Sequence, residues 1–198
     1  WQERVPICSA LIEELALINQ MTKAMGHAPL FHKDYNSDEE DRPRNFHFLI
    51  RPSLDEFNSF ILLLDKMLSE NINKKFFEPD LDLKTEKIQP SGKTEVFQKG
   101  TLQLLDEWVR TYFNTSDWTI WDETISALKG VRKMRQHPAH NIQENVYDQK
   151  YFKEQRAILI QTFQAVGVIR DLFERHPKVI QAGIKAPDWL IEGKVWNI

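Results

Sequence analysis

Cysteine is almost absent from this 198-residue chain. Cys8 is the only one, so no internal disulfide can form, and nothing asks for an oxidising compartment. No run of about 18 apolar residues occurs, which excludes an ordinary membrane-spanning helix. Glycine is scarce, with 7 residues in all, while Leu, Glu, Lys and Ile are common. That balance disfavours a turn-rich β sandwich and favours helices. Internal repeats and low-complexity segments are lacking. No signal-peptide pattern follows Trp1, and a start on Trp rather than Met gives the expectation of a piece cut from a longer protein, with the cytoplasm as its default location.

What is present describes an ordinary globular protein. Hydrophobic residues make up 41%, charged residues 28%, and the formal net charge is -3. A chain of this length buries roughly 70% of its unfolded surface and needs no disulfide or metal staple. One domain is the natural expectation.

Apolar spacing divides the chain into helices. Val5, Leu11, Ile12, Leu15, Ile18, Met21 and Met25 recur at three and four, and Gly26 is a plausible stop, predicting a helix over 5–25. Residues 27–44 read as a loop carrying the acidic run Asp38-Glu39-Glu40-Asp41. A solvated loop is the expected reading of that run; a Ca²⁺ or Mg²⁺ site built from it is the alternative, although its spacing does not match an EF-hand. Residues 45–51 fit either a short strand or a buried extended entry. Ser53 and Glu56 form a capping box, S-L-D-E, which opens a helix with a broad stripe of Leu54, Phe57, Phe60, Ile61, Leu64, Met67 and Leu68. Leu62 and Leu63 widen that stripe, so burial on more than one side is expected, with an end near Asn71 or Asn73.

Residues 74–98 are weakly patterned, and the runs Lys87-Ile88 and Glu95-Val96-Phe97 could pair as a small hairpin. A helix over 101–113 presents Leu102, Leu105, Trp108, Val109 and Tyr112. N-T-S-D at 114–117 breaks it and offers caps for the next helix. That helix runs from Trp118 to about Arg135, with Trp118, Trp121, Ile125 and Leu128 on one stripe. A long helix from about Asp148 to Glu174 carries Phe152, Leu159, Phe163, Val166 and Phe173, and Pro177 stands just beyond it. The tail, 178–198, brings Trp189 and Trp196. The expected class is all-α: an antiparallel bundle of four to five helices with loop or small β-hairpin insertions. Trp108, Trp118 and Trp121 follow helical stripes and are expected in the core, with an interface as the alternative.

The chemistry concentrates in Val131–His140, V-R-K-M-R-Q-H-P-A-H. Two Arg, one Lys and two His fall within ten residues of an acidic chain. Basic residues take over where the apolar stripe ends, and Pro138 prevents normal helical bonding. His140 can give and take a proton near neutral pH. Arg135 is permanently charged and forks onto phosphate oxygens. Together they form a minimal kit for cleaving RNA, whose own 2′-hydroxyl serves as nucleophile, so that no metal or cofactor is required. Arg132, Lys133, His137 and Lys129 could add contacts to the RNA backbone. Two other readings compete. Cations at a helix C-terminus complement the macrodipole without any function. His137 and His140 could hold a metal, although the neighbouring cations and the bend at Pro138 oppose it.

The stretch L-K-G-V-R-K-M-R-Q-H-P-A-H resembles the motif of the HEPN superfamily, an all-helical group whose signature is Arg, four to six residues, then His. Arg135, Gln136 and His140 match it, R-Q-x-P-A-H being similar to the R-N-x-x-A-H form; Arg132 and His137 satisfy the spacing in a second register. The resemblance covers roughly 53–176, with the helix at 5–25 and the tail packing on that core. It implies a metal-independent endoribonuclease in a toxin–antitoxin or other prokaryotic defence setting, acting as a homodimer with a composite site, with RNA as substrate and an antitoxin or defence protein as partner. Arg135 would bind the scissile phosphate, His140 would move the proton, and Gln136 would orient groups by hydrogen bonding. One toxin subgroup carries Tyr two residues after the His as a target of nucleotide modification; Ile142 stands here, so that regulation is not implied. A non-catalytic HEPN module for dimerisation or nucleotide and nucleic-acid binding is the alternative.

Overall fold

A computed structural model describes residues 4–35, 43–88, 94–136 and 144–196. The architecture is mainly helical. Among the described residues, five longer helices, α1 (Ile7–Met25), α2 (Leu54–Met67), α3 (Thr101–Tyr112), α4 (Thr119–Gln136) and α5 (Lys150–Glu174), are followed by two short ones, α6 (Pro177–Ala182) and α7 (Asp188–Ile191). Among the described residues there are also a short 3-10 turn (Lys74–Phe76) and two strand pairs: β1 (Val5–Pro6) lies parallel to β4 (Val195–Trp196), and β2 (Lys84–Ile88) pairs antiparallel with β3 (Thr94–Gln98).

α1 sits deep. Leu11, Leu15, Ile18 and Met21 are fully buried, in one cluster with residues of α2 to α5. Its longest packing surface runs along α5, which also packs along α4, while α2 lies on α4 and α5. The apolar stripe continues round α1 to Ile7, Ala10, Ile12 and Leu17, which suits a helix covered on several sides. Gly26 ends it as expected, at φ 91, with its N–H bonded to the carbonyl of Lys23. At the α1–α5 contact lies a buried ion pair, Arg170 Nε donating to Glu14 Oε2 at 2.7 Å. A Cβ on Gly167 would meet Glu14 Oε1 at 3.5 Å, ordinary contact, so helix approach does not demand glycine there.

α2 begins as expected and ends early. Ser53 Oγ accepts from the Glu56 N–H at 3.3 Å. The reciprocal half of the capping box is not made: the Glu56 carboxylate instead accepts from the Arg51 N–H at 3.0 Å and from Arg51 Nε at 2.9 Å. The helix stops at Met67 rather than near Asn71 or Asn73, because Leu68 leaves helical geometry and the Asn71 side chain donates back to the Met67 carbonyl at 3.0 Å. Asn71 and Asn73 tie down the loop after α1, donating to the carbonyls of Lys33 and Pro29. Leu62 does not widen the buried stripe, being 39% exposed, and α2 presents an outer face to solvent.

Residues 43–51 form no strand. The hairpin forms, with Lys87 opposite Glu95 and Glu86 opposite Val96; Val96 and Phe97 remain exposed. In α3, Tyr112 lies on the expected face yet is half exposed, its ring against Trp108. Trp108 and Trp121 are core residues, whereas Trp118 is only partly buried, beneath the guanidinium of Arg110. Pro177 does more than stop α5. It is the first residue of α6, whose N-cap, His176, accepts from the Lys178 N–H through Nδ1 at 3.3 Å. The tail packs back through Leu190 and Trp189 on Leu17, and β4 closes on β1. Among the described residues, no helix is long and apolar enough to cross a membrane.

Candidate functional site

α4 carries the basic motif on its last turns. Trp121, Thr124, Ile125, Leu128 and Val131 are its buried residues. The next position on that stripe is Arg135, so packing aims its side chain at α2. There Arg135 Nη1 donates to Asp65 Oδ2 at 2.8 Å and also to Glu70 Oε1. The Asp65 side chain is fully buried, while those of Arg135 and Glu70 are 31% and 36% exposed.

The early end of α2 creates this arrangement. The Glu70 N–H donates to the Asp65 carbonyl at 3.1 Å, which folds the chain back after Leu68 and sets Glu70 beside Asp65. Two carboxylates thus face one guanidinium. Its hydrogen bonds to Glu70, then to Asp65, hold the Arg135 proton more firmly than usual. The second Asp65 oxygen, Oδ1, is buried and accepts no hydrogen bond among the described residues. Nearly all the stabilisation of that charge within the described structure therefore comes through Oδ2 and Arg135.

The other expected site residues divide by position. Gln136 is exposed and is the last residue of α4. Lys129 and Lys133 are exposed, and Arg132 is half-buried. At about 100° per residue, Lys133 lies nearly opposite Arg135 round the helix, whereas Arg132 lies about 60° from it. Arg132 can share a ligand with Arg135; Lys129 and Lys133 form a separate solvent-facing strip. His137, Pro138 and His140 lie outside the described residues, as does the acidic run at 38–41.

The chain on either side of 137–143 is anchored to α2. On one side is Arg135, on Asp65 and Glu70. On the other, the Val146 carbonyl accepts from the Leu54 N–H at 2.9 Å, the Asp148 N–H donates to the Pro52 carbonyl at 2.9 Å, and Asn145 Oδ1 accepts from the Asp55 N–H at 3.2 Å. A groove of about 720 Å³ between α4 and α5, walled by Gly130, Val131, Met134, Ile158 and Thr162 among others, does not include Arg135. Among the described residues, no group of three or more His, Cys, Asp or Glu is placed to hold a metal ion.

Asp65 and Glu70 escaped sequence reasoning. A signal for Asp65 was present: it falls among Ile61, Leu64 and Leu68 on an otherwise apolar stripe, where a carboxylate requires a partner. Glu70 had none, because its position depends on where the helix ends.

A second polar cluster lies on the aromatic core. Asp80 Oδ2 accepts from Trp108 Nε1 at 2.7 Å and lies 3.6 Å from His27 Nδ1, whose ring packs on Phe76. Asp80 satisfies the buried indole N–H, and His27 Nδ1 lies 3.2 Å from the Phe76 carbonyl, so the cluster has a structural duty. Comparison of the chain with protein-family models, with curated proteins and with solved structures found no match.

Proposed function

We propose that this chain is a metal-independent endoribonuclease of HEPN type, its helices forming the antiparallel bundle of that superfamily. The observation that carries the reading is the setting of Arg135. It ends the buried stripe of α4, is fixed by Asp65, and keeps about a third of its side chain open to solvent at the start of the Arg135–His140 motif. Both hydrogen bonds to the carboxylates run through Nη1. Among the described residues Nε and Nη2 have no partner, and that edge of the fork suits two oxygens of one phosphate.

In this reading Arg135 neutralises the scissile phosphate and His140 removes the proton of the 2′-hydroxyl. The hydroxyl oxygen attacks phosphorus, the 5′-oxygen of the next nucleotide leaves taking a proton from water, and the product ends in a 2′,3′-cyclic phosphate. Gln136 orients by hydrogen bonding, Arg132 and His137 support RNA close to the site, and Lys129 and Lys133 guide its approach. A homodimer would bring two motifs to one cleft, in a cytoplasmic defence or toxin–antitoxin system with a cognate partner protein.

The engagement of Arg135 with two carboxylates favours a second reading, in which the arginine is purely a structural ion pair and the module dimerises or binds nucleic acid without cleaving it. Incubation with single-stranded and structured RNA in EDTA separates the two. Cleavage to cyclic-phosphate ends, lost in His140→Ala, supports the nuclease; RNA binding with no cleavage in a verified dimer supports the alternative.

A further inference from the structure

Asp65 and Glu70 touch the same guanidinium nitrogen, but their surroundings differ. The Asp65 side chain is fully buried, so its carboxylate has no solvent to move into. The Glu70 side chain is more than a third exposed and lies after the helix end, so water can take over its charge at little cost. One cation against two carboxylates leaves a local charge of about -1, the wrong sign for binding a phosphate.

We propose that the two acids divide control of Arg135. Asp65 is a positioning residue that fixes the guanidinium through Nη1 and leaves its Nε–Nη2 edge without a partner among the described residues, and Glu70 is a competing anion that lowers the affinity of Arg135 for an RNA phosphate. This rests on the reading of Arg135 as a phosphate-binding residue. RNA then meets the Nε–Nη2 edge against the charge of Glu70 on Nη1, and any cation or protein contact that neutralises Glu70 raises affinity for RNA.

The test is a binding titration, with a fluorescein-labelled single-stranded 2′-O-methyl oligoribonucleotide as probe. That probe lacks the attacking hydroxyl, so binding is read without cleavage. Removing one charge at this range should tighten binding of Glu70→Gln by about tenfold over the unaltered chain. The gain must depend on the guanidinium. Arg135→Gln alone would leave Asp65 as a buried unpaired charge, so the reference is the double variant Asp65→Asn with Arg135→Gln, which replaces the ion pair by two amides. In that background Glu70→Gln should change affinity by less than about twofold, and circular dichroism checks that each variant folds. Unchanged or weaker binding by Glu70→Gln overturns the inference, as does an equal gain in both backgrounds or no binding by any variant. Cleavage of ordinary RNA is scored separately. His140-dependent cleavage with no effect of Glu70→Gln removes the inference and leaves the nuclease; the predicted affinity pattern with no cleavage removes the nuclease and leaves the inference.

Discussion

Arg135, at the end of α4, holds its guanidinium 2.8 Å from the carboxylate of Asp65, a side chain on α2 that solvent does not reach. The pair joins the chemical end of one helix to the buried face of another. It makes Arg135 part of the fold as well as of the proposed site, and that has consequences for how the site can be probed.

Arg135→Ala should destabilise the fold by roughly 3 kcal/mol, at the low end for breaking a buried pair because Arg135 is itself partly exposed. Urea unfolding of the variant is the measurement. Restoring most of that loss with the matched amides, Asn at 65 and Gln at 135, would confirm that the cost lies in the stranded carboxylate. Loss of RNA cleavage in Arg135→Ala alone is therefore weak evidence for catalysis.

Glu14 governs a pH dependence. Burial pushes its carboxyl up to about 7 from an ordinary 4.5, against the pull of Arg170, while Asp171 and Glu174 add to the rise. Between pH about 4.5 and about 7 the folded protein thus keeps a proton that the unfolded chain has already lost. Glu14 contributes its full stability below pH about 4.5, and that contribution is lost as pH rises to about 7. Thermal melts across this window should show a falling component that is absent in Glu14→Gln; an identical slope in both proteins would count against it.

Gly26 closes α1 with φ 91, a left-handed value that side chains with a Cβ rarely adopt. Space is not the obstacle, since the nearest atom to an added Cβ is Lys178 Nζ at 3.6 Å. Gly26→Ala should cost about 1 kcal/mol in denaturant unfolding, from backbone strain alone. An unchanged midpoint would show that the turn relaxes.

The β2–β3 hairpin, exposed at Val96 and Phe97, contributes little to the core. Replacing 84–98 with a short flexible linker should shift the unfolding free energy by less than about 1 kcal/mol. A larger loss would mean that the hairpin braces the loop between α2 and α3.

The helices were legible in the sequence because their apolar residues recur at three and four, and Gly26 and Ser53 marked ends that local chemistry decides. The end of α2 was not legible. Asn71 looked like a stop, and it is one, but it reaches back to Met67 and ends the helix a turn sooner. Ser53 and Glu56 matched a reciprocal box, yet Arg51 offered the glutamate a charged partner. The pairing of Val5–Pro6 with Val195–Trp196 depends on chain ends meeting in space, which no local pattern encodes. At the candidate site, the basic residues were visible as a cluster, but their division round α4 followed only from helix geometry. The acids opposite Arg135 arrived through packing and a turn. His140 and His137, the other half of the motif, lie outside the described residues.

The proposed nuclease meets its most direct test in one assay: cleavage of RNA in excess EDTA by the unaltered chain and by His140→Ala, with product ends identified. The account predicts 2′,3′-cyclic phosphate products from the unaltered chain and a loss of at least about a hundredfold in rate in the variant. Equal cleavage by both proteins, or none by a folded dimeric protein on single-stranded and structured RNA alike, would contradict it.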